Sequence, residues 1–226
     1  MQKNPVKMSS CTSDGKLVVV IGRQFGSGGR KIGRMLAERI GASYYDKELL
    51  LEAAGECGIT RETLAAADER RPSPLRWFLH GAYGASDGLG GDPLAENIYA
   101  AVANVIRNVG SKGSCVIVGR TADHILRENP MMVSVFLHAP LEHRAKCLVE
   151  RGEHATERQA TEAARKADRQ RENFYNYFTG RRWGTAANYH LCVDSSQLDD
   201  AQIVEVIASY VEIRRKNGRQ RPPEKK

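Results

Sequence analysis

The chain has 226 residues, of which 41% are apolar and 27% charged, enough for one sizeable domain, or a domain with a lid, around a real core. Its formal net charge of +7 invites a nucleic-acid reading, but residues 214–226 hold seven Lys/Arg against one Glu, so this stretch alone carries +6 and the rest is nearly balanced. Five cysteines (Cys11, Cys57, Cys115, Cys147 and Cys192), with no CxxC, suggest neither a disulfide framework nor a zinc knuckle; reduced thiols and a cytoplasmic setting are expected.

In chain order, residues 1–15 read as a polar, disordered leader without the apolar stretch of a signal peptide, and no segment has the roughly 18 unbroken apolar residues of a membrane helix. Leu17 to Ile21 is a short continuous apolar run, the pattern of a strand buried on both faces of a parallel sheet. A helix period follows from Gly29, with Ile32, Met35, Leu36 and Ile40 on one face and Gly41 as its C-terminal stop. "ASYYD" reads as a second strand, with Asp46 capping a helix that contains Leu49, Leu50 and Ala53; Thr60 caps a further helix over 61–69. Residues 71–91, rich in glycine and proline and interrupted by Trp77, Phe78 and Tyr83, are too long for a routine connection and read as a mobile loop or insertion.

Regularity returns at Asp92-Pro93, an N-cap followed by proline at the first helical position, and this helix is expected to reach Val109. "SCVIVG" and "MVSVFLHA" are buried strands, and Pro140 opens the helix "PLEHRAKCLVER". Thr156 begins a long charged helix, "NYHLCVD" is the last strand, and Asp199 or Asp200 caps a closing helix through Ile213. Strands alternating with helices imply a parallel, helix-covered sheet with right-handed crossovers.

The joint between the first strand and first helix, "RQFGSGGR", carries the chemistry. Glycines let backbone N–H groups approach a phosphate, and a helix N-terminus adds partial positive charge; the plainer alternative is an ordinary tight turn. The phosphate-loop pattern GxxxxGK[ST] is not met. With Gly28 as its second glycine, Arg23 stands at the first, Gly29 replaces the lysine, and Arg30 replaces the Ser/Thr that would hold Mg²⁺. Arg30 or Lys31 could restore the charge, while Mg²⁺ would depend on water, phosphate oxygens and an unassigned acid.

In their order, "RQFGSGGR", "YYDKELL", "VIVGRTADHIL", "FLHAPLEHR", "KADRQRENFYNYFTGRRWG" and "NYHLCVDSS" resemble the cytidylate kinase-like family of P-loop nucleoside monophosphate kinases. The resemblance spans residues 17–213 apart from 71–91. It implies a three-layer α/β/α P-loop kinase fold with a central parallel sheet of about five strands and a helical lid over 152–188, in one domain of residues 16–213 followed by a basic tail. It implies ATP and Mg²⁺ as cofactors, nucleotides as substrates, and phosphoryl transfer to CMP or dCMP.

The donor phosphates are then expected on Gly26, Ser27, Gly28, Gly29, Arg30 and Lys31. The family's Gly-Arg-Asp motif is matched at Gly119-Arg120, but Thr121 replaces the acid, which returns at Asp123. Its lid Asp-x-x-Arg is matched at Asp168 and Arg171, whereas Lys47 and Glu48 stand where the family carries Ser and Arg. Asp46, Arg120, Asp123, Asp168 and Arg171 are thus expected at the acceptor, and Arg120, Arg144, Arg165 and Arg171 at the transferring phosphoryl group.

Each has a plainer alternative. Arg120 could form a surface ion pair, and Asp123 could merely favour a helix N-terminus. Arg165, Asp168 and Arg171 could form an i,i+3 ladder, and Arg144 and Arg151 could stay solvated. "FYNYFTGRRWG" could stack on RNA, but aromatics at helical spacing more often pack a core or lid, so nucleic acid is not an expected partner, and neither is a membrane. The binding-module alternative, a nucleotide binder that has lost transfer, rests on the missing lysine and Ser/Thr. A kinase for another small phosphate acceptor is the third reading.

Overall fold

The computed structural model describes residues 16–46 and 93–218. The expected leader, the helices over 47–53 and 61–69, the 71–91 segment, the Asp92 cap and the end of the basic tail lie outside them.

Among the described residues five strands form one sheet: β1 (Val18–Arg23), β2 (Ser43–Tyr45), β3 (Cys115–Val118), β4 (Met132–His138) and β5 (Leu191–Asp194). Their order is β2-β3-β1-β4-β5, and every pairing is parallel. β1 is therefore central, paired from Val18↔Cys115 on one side and Val18↔Met132 on the other.

The alternation of a strand explains the unbroken apolar runs. Val18 and Val20 face one core with Cys115, Ile117, Val102, Ile106 and Phe174, while Val19 and Ile21 face a second core with Val116, Val118, Ile32, Leu36, Ile203 and Ile207. The first core is closed by α2 (Pro93–Lys112), α3 (Ala122–Ile125) and α5 (Glu157–Thr179), and the second by α1 (Gly29–Ile40) and α6 (Asp200–Gly218). The layers are helix, sheet, helix. A small third cluster joins α4 (Leu141–Glu150) to α5 through Ala145, Leu148, Ala160 and Ala164.

Helix ends follow the local sequence. Gly41, at φ 64°, closes α1 by donating to Ala37 and Glu38 carbonyls. Thr156 caps α5 by accepting from Gln159 N–H. Asp199 accepts from Gln202 N–H at 2.8 Å while Gln202 Oε1 accepts from Asp199 N–H at 3.0 Å, a reciprocal cap that starts α6. α6 runs to Gly218 rather than stopping at Ile213, so the first part of the expected tail is helical. Two aromatics of α5 pack against α2: Phe178 stacks on Tyr99 at 3.9 Å between centroids, and Phe174 lies 4.9 Å from Phe178.

Candidate functional site

In an open parallel sheet, ligands gather beyond the carboxyl ends of the strands, where connections leave in opposite directions. Here that point lies at the ends of β1 and β3. A cleft opens there, lined by Arg23, Phe25, Arg30, Gly119, Arg120, Thr121, Asp123, Arg171, Phe174, Tyr175, Trp183 and Tyr189, among others.

One wall is formed by Arg23, Phe25 and Arg30, at the two ends of the β1–α1 loop. Gly26 and Gly28 have φ of 87° and 81°, conformations that favour glycine, and no side chain caps the first turn of α1, which also holds no acid. The loop is held from behind. Arg144 Nη1 donates to Phe25 O at 2.8 Å, Arg151 Nη2 donates to Gly26 O at 2.8 Å, and Gln24 Oε1 accepts from Ala139 N–H at 3.1 Å. Two carbonyls of the loop are thereby tied down by cations of α4 and its C-terminal end.

The opposite wall begins at the end of β3. Gly119, Arg120 and Thr121 have consecutive positive φ of 81°, 61° and 53°. For Arg120 and the β-branched Thr121 this left-handed backbone costs about 1–3 kcal/mol each. It is kept by Thr121 Oγ1, which donates to Arg120 O at 2.6 Å, and by the 3.0 Å Tyr99–Thr121 hydroxyl contact. The buried Thr121 stands where the family motif has its acid; Asp123, in α3, presents a carboxylate to the cleft and accepts from Tyr175 OH at 2.7 Å. Burial pushes the Asp123 carboxyl above its ordinary value against that hydrogen bond, and burial beside Asp123 also pushes up the Tyr175 and Tyr189 phenols.

The third wall is α5. Arg171 lies over the Phe25 ring at 5.5 Å and donates to Arg23 O at 3.2 Å. Burial lowers it to about 10, against the pull of Asp168. Asp168 bridges the elements: Oδ1 accepts from Phe25 N–H at 2.7 Å, Oδ2 accepts from Arg144 Nη1 at 2.7 Å, and Arg171 stands 3.8 Å away.

The expected residues therefore separate. Gly26, Ser27, Gly28 and Gly29 form the loop but are not among the residues that line the cleft, and the Ser27 hydroxyl turns inward and donates to the carbonyls of Gln24 and Leu137. Arg30, Arg120, Asp123 and Arg171 line the cleft. Lys31 does not; it pairs with Asp200 at 2.7 Å, because one helical step turns it about 100° from Arg30. Arg165 is exposed outside the cleft, beside Lys166 and Arg169, since six residues along a helix leave it about 120° from Arg171. Arg144 is a buried strut, its Nε donating to Ala139 O at 2.9 Å, rather than a group free to follow a moving phosphate. Asp46 is buried at the end of β2, accepting from Tyr44 OH at 3.3 Å, and is not among the cleft residues.

The residue that pattern reading missed is Arg23. In the sequence it reads only as a replacement for a motif glycine; its place at the carboxyl end of an apolar strand, where ligands gather in a parallel sheet, is the signal that points to it.

Arg23, Arg30, Arg120 and Arg171 all line the cleft, and Arg30 stands in the uncapped first turn of α1, an arrangement that suits a polyanion such as the phosphates of a nucleotide. A protein-held metal fits less well. Among the described residues no group of three or more His, Cys, Asp or Glu could hold an ion, and Asp123 and Asp168 are already hydrogen-bonded within the protein. Among them, too, no helix is long and apolar enough to cross a membrane.

Comparison with known proteins agrees with this geometry. The model of the cytidylate kinase-like family matches residues 18–197. No curated protein matches. An uncharacterized protein from Eubacterium ventriosum ATCC 27560 is 26% identical with a TM-score of 0.66, over 87% of this chain and 99% of that one. A gluconokinase from Sinorhizobium meliloti 1021 has a TM-score of 0.51 at 17% identity, covering 90% of this chain and 95% of its own. A shikimate kinase from Bacteroides thetaiotaomicron has a TM-score of 0.50 at 12% identity, covering 87% and 98%. These last two share the three-layer fold. With sheet order and family match in agreement, the chain belongs to the cytidylate kinase-like family, on a P-loop kinase fold.

Proposed function

We propose that the protein is an ATP-dependent nucleoside monophosphate kinase acting on CMP or dCMP in the cytoplasm. The observation that carries this reading is the meeting, in one cleft, of Arg30, Arg120 and Arg171 with the Asp123–Tyr175 pair. Phosphoryl transfer between nucleotides asks for little covalent help. The acceptor phosphate is already ionised, so no strong general base is required, and catalysis is positioning plus neutralisation of charge. A chain with several arginines around one cleft is suited to that task.

In this reading, loop 26–30 holds the donor phosphates through backbone N–H groups, and Arg120 and Arg171 grip the acceptor phosphate. The Asp123 carboxylate accepts from an amino group such as that of cytosine, with Phe174, Trp183 and Tyr189 offering faces for the base. ATP would supply the transferable phosphoryl group, and Mg²⁺ held on its phosphates would add charge neutralisation to that of Arg30, Arg120 and Arg171. Residues 152–188 act as the lid, tethered to the loop through Asp168.

One observation favours the binding-module reading. Arg30 replaces the metal-binding hydroxyl, and the nearby Ser27 hydroxyl is spent on backbone carbonyls. A coupled ADP-release assay over nucleoside monophosphates and small hydroxylated metabolites separates the readings. Turnover highest with CMP or dCMP is expected. Turnover only with a non-nucleotide reassigns the acceptor, and ATP binding without turnover on any acceptor replaces the kinase with the binding module.

A further inference from the structure

We infer that Arg23, the last residue of the central strand, is the phosphate-contacting cation that takes the place of the missing phosphate-loop lysine, reaching the transferred phosphoryl group from the β3 side of the cleft. This inference rests on the nucleotide-kinase reading for its ligand, but the residue's placement is independent of which acceptor is used.

The placement is specific. The stem of Arg23 runs across Gly29, where an added Cβ would come within 2.7 Å of Arg23 Cγ and 3.0 Å of its Cβ. Its guanidinium then fills the space over Gly119, where an added Cβ would collide with Nη1 and lie 3.0 Å from Cζ. Two glycines on different elements therefore leave a channel for this one side chain. Gly29 is the residue at the usual lysine position, so the channel for Arg23 opens where a lysine side chain would otherwise begin. The strand residue supplies from below what the helix residue would have supplied from above.

The electrostatics point the same way. Burial, and then the guanidiniums of Arg171, Arg120 and Arg30, hold Arg23 well below the ordinary arginine range. Among the described residues Arg23 makes no ion pair, and Asp168, the partner of Arg171, is also engaged by Arg144 and the Phe25 N–H. Like charges drawn together in a half-buried cleft raise the energy of the empty fold, and a bound polyphosphate would remove that repulsion. A residue kept for packing would not require cationic company. An arginine fork can also bridge two oxygens on different phosphates, which suits a group standing between donor loop and acceptor.

The test compares wild type with Arg23→Met, which keeps the stem and removes the charge, Arg23→Lys, and Arg23→Ala. Pyrophosphate and ATP binding are measured by calorimetry, melting temperature with and without pyrophosphate by scanning fluorimetry, and turnover on the best acceptor by ADP release. Arg23→Met is expected to melt no lower than wild type when empty, to lose at least tenfold in pyrophosphate affinity, and to lose about 100-fold in kcat. Arg23→Lys should fall between, and added guanidinium should restore part of the activity of Arg23→Ala. An Arg23→Met protein that binds pyrophosphate and turns over within twofold of wild type overturns the inference and leaves the kinase reading intact. Lower melting of the empty variant with unchanged pyrophosphate affinity also overturns it, by showing a packing role. Wild type that binds pyrophosphate but phosphorylates nothing removes the kinase reading, and Arg23 is then judged by the binding arm alone. Wild type that binds neither pyrophosphate nor ATP overturns both.

Discussion

Asp168 offers the sharpest perturbation of the scaffold, because three elements meet at one carboxylate. Its side chain and that of Arg144 are 15% and 6% exposed, and their 2.7 Å contact is a buried pair rather than a surface ornament. Replacing Asp168 with Ala strands the Arg144 charge. Breaking such a pair costs about 3–5 kcal/mol, and the low end applies because Ala139 O and Phe25 O still accept from Arg144. The lost acceptor for Phe25 N–H adds about 1 kcal/mol, giving about 4 kcal/mol in all. At about 2–4 °C per kcal/mol for a domain of this size, the melting temperature should fall by about 10 °C. Asp168→Asn, which keeps an acceptor for Phe25 N–H, should cost less. Urea unfolding followed by far-ultraviolet circular dichroism measures both variants. A loss below about 1 kcal/mol for Asp168→Ala, with an unchanged dependence on urea, would refute the argument; the pair would then be a solvated contact of the kind worth little on any helix surface.

Three further outcomes are expected. Arg171→Ala should lower kcat about 100-fold with a smaller change in KM, whereas an ordinary i,i+3 ion pair with Asp168 would leave turnover untouched, so steady-state kinetics on the folded variant decide. Gly33→Ala should destabilise by about 1–2 kcal/mol despite alanine's better helix propensity, since its Cβ would press Val118 Cγ2 at 2.9 Å and Tyr44 at 3.2 Å; an unchanged urea midpoint would show that α1 has room to shift. Asp123 has a folded-state value raised above 3.8 by burial, so its proton contributes stability that is fully present below the unfolded value and is lost as pH rises through the folded one. Asp123→Asn should therefore lose less stability than wild type as pH rises from the unfolded carboxyl value through the folded one, and parallel urea-midpoint profiles would contradict this.

The sheet was legible because burial on both faces leaves a one-dimensional trace: Val18 to Ile21 and Cys115 to Val118 must be apolar at every position when alternate residues serve opposite cores. The glycine loop was legible for a similar reason, since positive φ at Gly26 and Gly28 restricts the residue type. Arg165 and Lys31 stand outside the cleft because spacing in sequence is a weak guide to direction in space; a few steps around a helix separate a cleft from bulk solvent. Arg144 was read as a candidate ligand of phosphate because its charge was visible, whereas its partners, Ala139 O, Phe25 O and Asp168, come from segments far from one another in the chain. Arg23 was passed over for the opposite reason. A motif comparison records it as an absent glycine, and only the packing over Gly29 and Gly119 gives its side chain a direction.

The central place of β1 has a consequence for how the molecule is made. β1 is synthesised first, yet both of its partners, β3 and β4, come only at 115–118 and 132–138. Until those residues emerge, the apolar run Val18–Ile21 lacks both of the strands that flank it in the folded sheet. Non-local pairing of this kind slows folding and prolongs the exposure of a short β-branched segment with free hydrogen-bonding edges. The nascent chain should therefore be most prone to association midway through synthesis. A truncation ending before β4 should aggregate where the full-length chain does not.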